Sequence, residues 1–151
     1  MPKYVIADAS VLIVLDKIEQ LELLQGVYNE IYTTPEIVEE FGNPLPNWII
    51  IESVKDKKYQ KIIEMQVDKG EASAIALSLE LDDSLLILDD LRARKLAKRL
   101  GLIFTGTLGV IQKMKENGVI RKFKPMIKKV KSTDFRISDK IIEVLLKRIN
   151  E

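Results

Sequence analysis

The sequence predicts an α/β fold, a three-layer α/β/α sandwich built around a mainly parallel central sheet. Three observations predict it. Short apolar runs rich in Ile and Val alternate with longer stretches whose apolar residues recur at i, i+3, i+4 and i+7. Strands separated by helices favour parallel pairing, because parallel strands need crossovers and helices supply them. A length of 151 residues, 46% hydrophobic and 31% charged, suits one globular domain with a sizeable core and argues against intrinsic disorder.

Tyr4–Ala7 reads as a buried strand, followed by helical stretches from about Ser10 to Gln25. Glu30–Thr33 is a second short strand. Pro35, suited to a first helical position, opens a helix over Glu36–Phe41 that Gly42 ends. Asn43–Asn47 is a loop with two prolines, Trp48–Val54 a third strand, and the stretch from about Asp56 to Val67 a helix. Gly70 introduces a helix over Glu71–Leu81, with Ala72, Ile75, Ala76 and Leu79 along one face. Leu85–Leu88 is a continuous apolar strand ending in Asp89-Asp90. The next helix has Ala93, Leu96, Ala97 and Leu100 as its buried stripe and Arg92, Arg94, Lys95, Lys98 and Arg99 on its other face. Leu102–Thr105 is a further strand and Gly106–Asn117 a further helix. From about residue 119 the chain is helical in pattern and basic, ending with a helix over Ser138–Ile149. No internal repeat or linker interrupts it, so residues 1–151 read as one domain.

The chain holds neither cysteine nor histidine, which removes disulfides, Ser-His-Asp and Cys-His catalysis, and zinc fingers. Any chemistry falls to carboxylates, hydroxyls, lysines and a hard metal. No apolar run approaches the roughly 18–20 residues of a membrane span, and the first twenty residues, broken by Asp8 and Asp16, lack a small-residue cleavage site, so the expected location is cytoplasmic. The net charge of +1 conceals an asymmetry: residues 1–90 carry 18 acids against 7 lysines, and residues 91–151 carry 17 cations against 5 acids. Such a division points to anionic partners.

In parallel sheets ligands bind outside the carboxyl ends of the strands. Asp8 follows the first strand there, and Asp89 and Asp90 follow the Leu85–Leu88 strand. Glu40, on the short helix after the second strand, and Glu71, at the start of the helix after Gly70, can converge on the same cleft. Gathered carboxylates repel one another and raise one another's pKa unless a cation compensates. An all-oxygen set without His or Cys selects magnesium or manganese, and phosphodiester hydrolysis is the natural reaction for such a site. Glu36, Glu39 and Glu40 also crowd one short helix with no Lys or Arg within four positions, which calls for a metal or a basic partner nearby. Each acid has an ordinary role as well: Asp90 as a helix N-cap, Glu71 as a first-turn dipole residue, Asp8 as a turn former.

Four segments in order resemble the PIN-domain ribonucleases, in particular the VapC-type toxins and their relatives. They are Val5–Leu12, Pro35–Phe41, Gly70–Leu77, and Leu86–Asp90 with Ala93-Arg94; the stretch from Gly101-Leu102 to Gly109 resembles one subfamily. The resemblance implies Asp8, Glu40, Glu71 and either Asp89 or Asp90 as the metal-site and catalytic acids, with Glu39 competing with Glu40. Ser10 matches a small hydroxyl that supports the metal site, and the third acid is Glu where many PIN proteins carry Asp. Implied too are a magnesium or manganese ion that activates water for attack at phosphorus, a single-stranded RNA substrate, an antitoxin protein as partner of a toxin, and a homodimer.

Thr105-Gly106-Thr107 joins a strand to a helix, where free N–H groups can bind phosphate or Thr107 can serve as an N-cap. Arg94, in the fourth matching segment, is a further candidate substrate contact. The run Arg121–Lys131, with Lys128 near its middle, has six cations around Phe123, which reads equally as a phosphate-binding surface and as a solvated face. The alternative to an endoribonuclease is a catalytically silent PIN-like module that binds RNA or a protein.

Overall fold

The structure, a computed structural model, describes residues 2–137 and 139–148. Five strands form one sheet: β1 (Tyr4–Ala7), β2 (Ile31–Thr33), β3 (Ile49–Ile51), β4 (Ser84–Ile87) and β5 (Ile103–Thr105). Their spatial order is β3-β2-β1-β4-β5 and every pairing is parallel. The α/β sandwich expected from the alternation of strands and helices is the fold observed. Helices α1 (Ala9–Lys17), α2 (Pro35–Phe41), α3 (Lys57–Ile63), α4 (Lys69–Glu80), α5 (Leu91–Arg99) and α6 (Thr107–Glu116) supply the crossovers and cover, with a 3-10 segment at Leu21–Gly26. Two further helices, α7 (Phe123–Lys131) and α8 (Asp139–Arg148), complete the described residues, while Ser138 and Ile149, the expected ends of the last helix, lie outside them.

The central strands are apolar because both faces are covered. Val5, Ile6 and Ala7 of β1 and Leu86 and Ile87 of β4 are buried, in register from Tyr4 opposite Ser84 to Ala7 opposite Ile87. Leu12 and Leu15 of α1 and Ile75 and Leu77 of α4 join them in the core. The third strand is shorter than the expected Trp48–Val54, because β3 is an edge strand and its partner β2 has only three residues to pair with. Helix α3 stops at Ile63 rather than Val67: Met65 and Gln66 donate to Ile62 and Ile63, three residues back, so the last turn tightens. Among the described residues no helix is long and apolar enough to cross a membrane.

Helix boundaries follow local chemistry. Thr34 caps α2 by accepting from the Ile37 N–H, Pro35 takes N1, and Gly42 ends the helix at φ 82°. Asp68 caps α4 and pairs with Glu71 in a capping box, which starts that helix before Glu71. The N-cap of α6 is Gly106, so Thr107 is its first residue and not the cap.

The basic run divides by face. Phe123, Met126, Ile127 and Val130 of α7 are buried, while Lys124, Lys128 and Lys129 are exposed. Phe123 belongs to the core and offers no ring for stacking. Truncating it, Phe123→Ala, is expected to cost about 3–5 kcal/mol in denaturant unfolding, a loss that chemical denaturation followed by circular dichroism measures directly.

Candidate metal centre

The strand order places the site. The chain builds outward from β1 through β2 to β3, then crosses back and builds from β4 to β5, so the order reverses between β1 and β4. A crevice opens at such a switch point, beyond the carboxyl ends of the strands. Asp8 leaves β1 there, and its backbone N–H donates to the Ile87 carbonyl at 3.1 Å, holding it against the end of β4. Its carboxylate is only 5% exposed, and although Asp8 is the N-cap residue of α1, its side chain makes no capping hydrogen bond. Glu40 comes from the last turns of α2, Glu71 from the third position of α4, and Asp68 and Asp90 from the N-caps of α4 and α5.

These carboxylates lie near enough to raise one another's pKa. Burial pushes the Asp8 carboxyl up to about 8, against the Ala9 N–H, which lowers it; the charges of Glu71, Glu40 and Asp68 push further upward. Burial also raises Glu71, to about 7, opposed by the Asp68 N–H and reinforced by Asp68, Asp90 and Glu40. Glu40 is raised by partial burial and by Asp68, although solvent still reaches it. Glu39 and Glu40 are both exposed on this helix, and it is Glu40 whose Oε1 reaches Gly70 at the start of α4.

A glycine makes room for this approach. A Cβ on Gly70 would stand 2.6 Å from Glu40 Oε1 and 3.7 Å from Asp68 Oδ1, so the backbone of α4 forms a cradle that a side chain would fill. Buried hydroxyls hold the surrounding elements: Thr33 donates to the Ala7 carbonyl, Thr34 pairs with Ser73 at 2.7 Å, and Ser73 donates to the Gly70 carbonyl. Together they fasten β1, β2, α2 and α4 around the crevice.

The two consecutive aspartates do different things. Asp89 accepts from the Ser10 hydroxyl, from the Thr107 N–H at 2.8 Å and from the Thr107 hydroxyl at 2.6 Å, so both its oxygens are engaged by the protein. Gly106 permits this contact, since a Cβ there would lie 2.7 Å from Asp89 Oδ1. Asp90 instead caps α5 through the Ala93 N–H at 3.0 Å and raises Glu71 across the crevice. Asp90 lines an open cleft of about 600 Å³ with Asp68, Glu71 and Arg92.

The remaining candidates are distributed unevenly. Ser10 and Thr107 are turned to Asp89, and Thr107 is fully buried. Arg94 lies half-buried near Gly106 with its guanidinium 5.0 Å from the Phe104 ring centre. Thr105 borders a separate hollow with Tyr28, Gly109 and Lys113. Lys128 lines a groove between α7 and α8 with Ile142 and Leu146, and is not gathered with the acids. The crowding on α2 is relieved by the protein itself: burial favours neutral Glu36, but hydrogen bonds from Gln60 at 2.6 Å and Lys57 at 3.4 Å outweigh it and hold its pKa low. Two contributors escaped the sequence reading. Asp68 was an anonymous acid before Lys69-Gly70, although the Asp68-x-x-Glu71 spacing of a capping box was available to mark it. Ser73 lies two residues after Glu71 on α4, and no sequence signal pairs it with Thr34.

A family model described as a PIN domain matches residues 4–151, nearly the whole sequence, and the chain belongs to that family. PIN domains are generally nucleases and typically use divalent metals such as magnesium. No curated protein matches the chain.

Whether the residues suit such a metal can be judged from the donors. They are all carboxylate oxygens, mutually repelling and partly desolvated, beside a cradle kept open by Gly70. Among the described residues no three acids stand close enough to form a cage as they are placed. Magnesium does not require one, since it binds through one or two carboxylates and completes its shell with water and phosphate oxygens. The donor set fits.

With no cation bound, Asp8 and Glu71 have folded-state pKa values above the roughly 4 of an unfolded chain. Their contribution to stability is therefore fully present below about pH 4 and is lost as the pH rises toward about 8. In chelator, the melting temperature is expected to fall between pH 5 and pH 8, and Asp8→Asn to reduce that fall and raise the melting temperature at pH 8. Manganese is expected to stabilise wild type more at pH 8 than at pH 5, and Asp8→Asn at neither; thermal melts across this grid check both statements. The aspartate pair separates by stability: Asp89→Ala leaves the Thr107 donors without an acceptor and is expected to cost about 3 kcal/mol, against about 1 kcal/mol for the lost cap in Asp90→Ala, both read from denaturant melts.

Proposed function

We propose that the protein is a magnesium- or manganese-dependent endoribonuclease that hydrolyses phosphodiester bonds of single-stranded RNA. The observation that carries this reading is a buried, uncompensated Asp8 carboxylate at the β1/β4 switch point, facing the like charges of Glu40, Glu71 and Asp68. A protein gains no stability from such an arrangement, and a divalent cation removes the repulsion. Asp8, Glu40, Glu71 and Asp90 are the residues that would hold it. When bound, the ion would lower the pKa of a water molecule and offset negative charge on a phosphate. The chain's own task is positional. The Asp8 N–H bond to Ile87 fixes that carboxylate against β4, the Asp68–Glu71 capping box orients Glu71, and Asp89, bound by Ser10 and Thr107, sets where α6 begins beside the cleft.

The toxin role, an antitoxin partner and a homodimer follow from the resemblance to VapC-type sequences and belong to the same proposal. The spacing of the acids, with no three of them at ligating distance among the described residues, is the one observation that favours the alternative of a silent module binding RNA or protein.

Incubation of single-stranded RNA with the protein separates the two. Cleavage is expected with magnesium or manganese, none with chelator, and a fall to background in Asp8→Asn. Gly70→Ala is expected to fold, because the clashing atom is the mobile end of the Glu40 side chain, and to need a higher manganese concentration for half-maximal activity. Cleavage that survives chelator or Asp8→Asn would refute the mechanism, and binding without cleavage on varied RNAs would establish the silent module.

A further inference from the structure

The most basic stretch of the sequence is not beside the acids. Helix α1 starts at Asp8 and runs back across the molecule, so Lys17 is roughly 13 Å away at 1.5 Å per residue. The basic run and the residues just after it meet that far end: Arg121, Lys122 and Lys129 border a hollow with Gln20, and Asp134 pairs with Lys17 at 3.1 Å. Helix α5, by contrast, begins at the crevice, where Asp90 caps it and Arg92 lines the same cleft as Asp68, Glu71 and Asp90.

The outward face of α5 is a cationic ridge. Arg92, Lys95, Lys98 and Arg99 are all exposed, and at 100° per residue they fall within one third of the helix circumference, opposite the buried Ala93 and Ala97. The ion pairs among the described residues, Lys17 with Asp134 and Lys57 with Glu36, leave all four untouched. Like charges at i, i+3 and i, i+4 cost a helix about 0.2–0.5 kcal/mol per pair. Lys98 and Arg99 recover some of this from the helix dipole in the last turn, but Arg92 lies in the first turn, where the dipole opposes a cation and no acid follows the cap. Fold stability gives no reason for the ridge, and least of all for its member at the cleft.

We propose that this face of α5 is the track along which the backbone of single-stranded RNA leaves the acidic cleft, and that the more basic α7 face is not part of it. The inference rests on the ribonuclease reading for the location of the reacting phosphate. A polyanion cannot approach gathered carboxylates unaided, and Arg92 is the cation that lines the cleft with Glu64, Asp68, Glu71 and Asp90. From there Lys95, Lys98 and Arg99 continue the positive line over about 10 Å of helix. Each phosphate they neutralise releases counterions, which gives the track a measurable signature in salt.

The test is fluorescence anisotropy of a labelled single-stranded RNA of mixed sequence, titrated at several KCl concentrations in an Asp8→Asn background so that it stays intact. Each lost phosphate contact lowers the slope of log affinity against log salt by about 0.7. The variant R92Q/K95Q/K98Q/R99Q is expected to lower it by about 3. The double variant K95Q/R99Q, which leaves the cleft-lining arginine in place, is expected to lower it by about 1.4. The variant R121Q/K122Q/K129Q is expected to leave it unchanged. An unaltered slope in the fourfold variant, an equal loss in the 121/122/129 variant, or no RNA binding by the parent would overturn the track. Cleavage by wild type is read separately: cleavage with an unaltered slope removes the track and keeps the nuclease, while a slope carried by α5 without cleavage keeps the track and removes the nuclease.

Discussion

Asp89 is the knot on which the site depends. It sits just past the end of β4 and takes hydrogen bonds from Ser10 of α1 and from both the N–H and hydroxyl of Thr107 of α6. Three elements that leave the sheet at different strands are thereby held to one point on the carboxyl rim. A carboxylate so supplied with donors has both oxygens engaged by the protein. Its neighbours can then be the opposite. Asp8 is more deeply buried and makes no side-chain capping bond, and Glu71 uses one oxygen in a capping box while facing three other acids. The protein thus divides its acids between those held by hydrogen bonds, such as Asp89, and those, such as Asp8, whose pKa burial and neighbouring like charges raise.

That division explains what could be read from the sequence and what could not. The parallel sheet was legible because strands such as Tyr4–Ala7 and the one read at Leu85–Leu88, observed at Ser84–Ile87, rest on continuous apolar runs, and because helical periodicity separates them. Strand limits were less so: β3 ends where β2 ends, a fact of pairing that Trp48–Val54 does not contain. Asp8 and the Asp89-Asp90 pair could be placed at the rim from strand ends alone. Which aspartate of the pair is held by Ser10 and Thr107 could not, since those partners lie 79 and 18 residues away. The same holds for the crowding on α2, where Lys57 and Gln60 come from the next helix to meet Glu36.

Glycines carry part of the site by absence. Gly70 and Gly106 are not at positions needing positive φ; each lacks a Cβ where a carboxylate, Glu40 or Asp89, comes within 3 Å of where that atom would be. Read along the chain they resemble ordinary helix starts. Their function as clearance emerges only when α2 is laid against α4, and β4 against α6.

The near-neutral total of the chain hides a spatial arrangement finer than its division into halves. The acids that face the crevice come from the end of β1 and from α2, α4 and α5, and the ridge that begins beside them is formed by α5 itself, whose N-cap is one of those acids. A single helix therefore carries the change of sign. Its first residues belong to the cleft that a cation would neutralise, and its later residues present positive charge to solvent. At physiological ionic strength a charge acts over about 8 Å, so a cation that shapes the field at these acids has to stand beside them, as Arg92 does in the cleft of Asp68, Glu71 and Asp90.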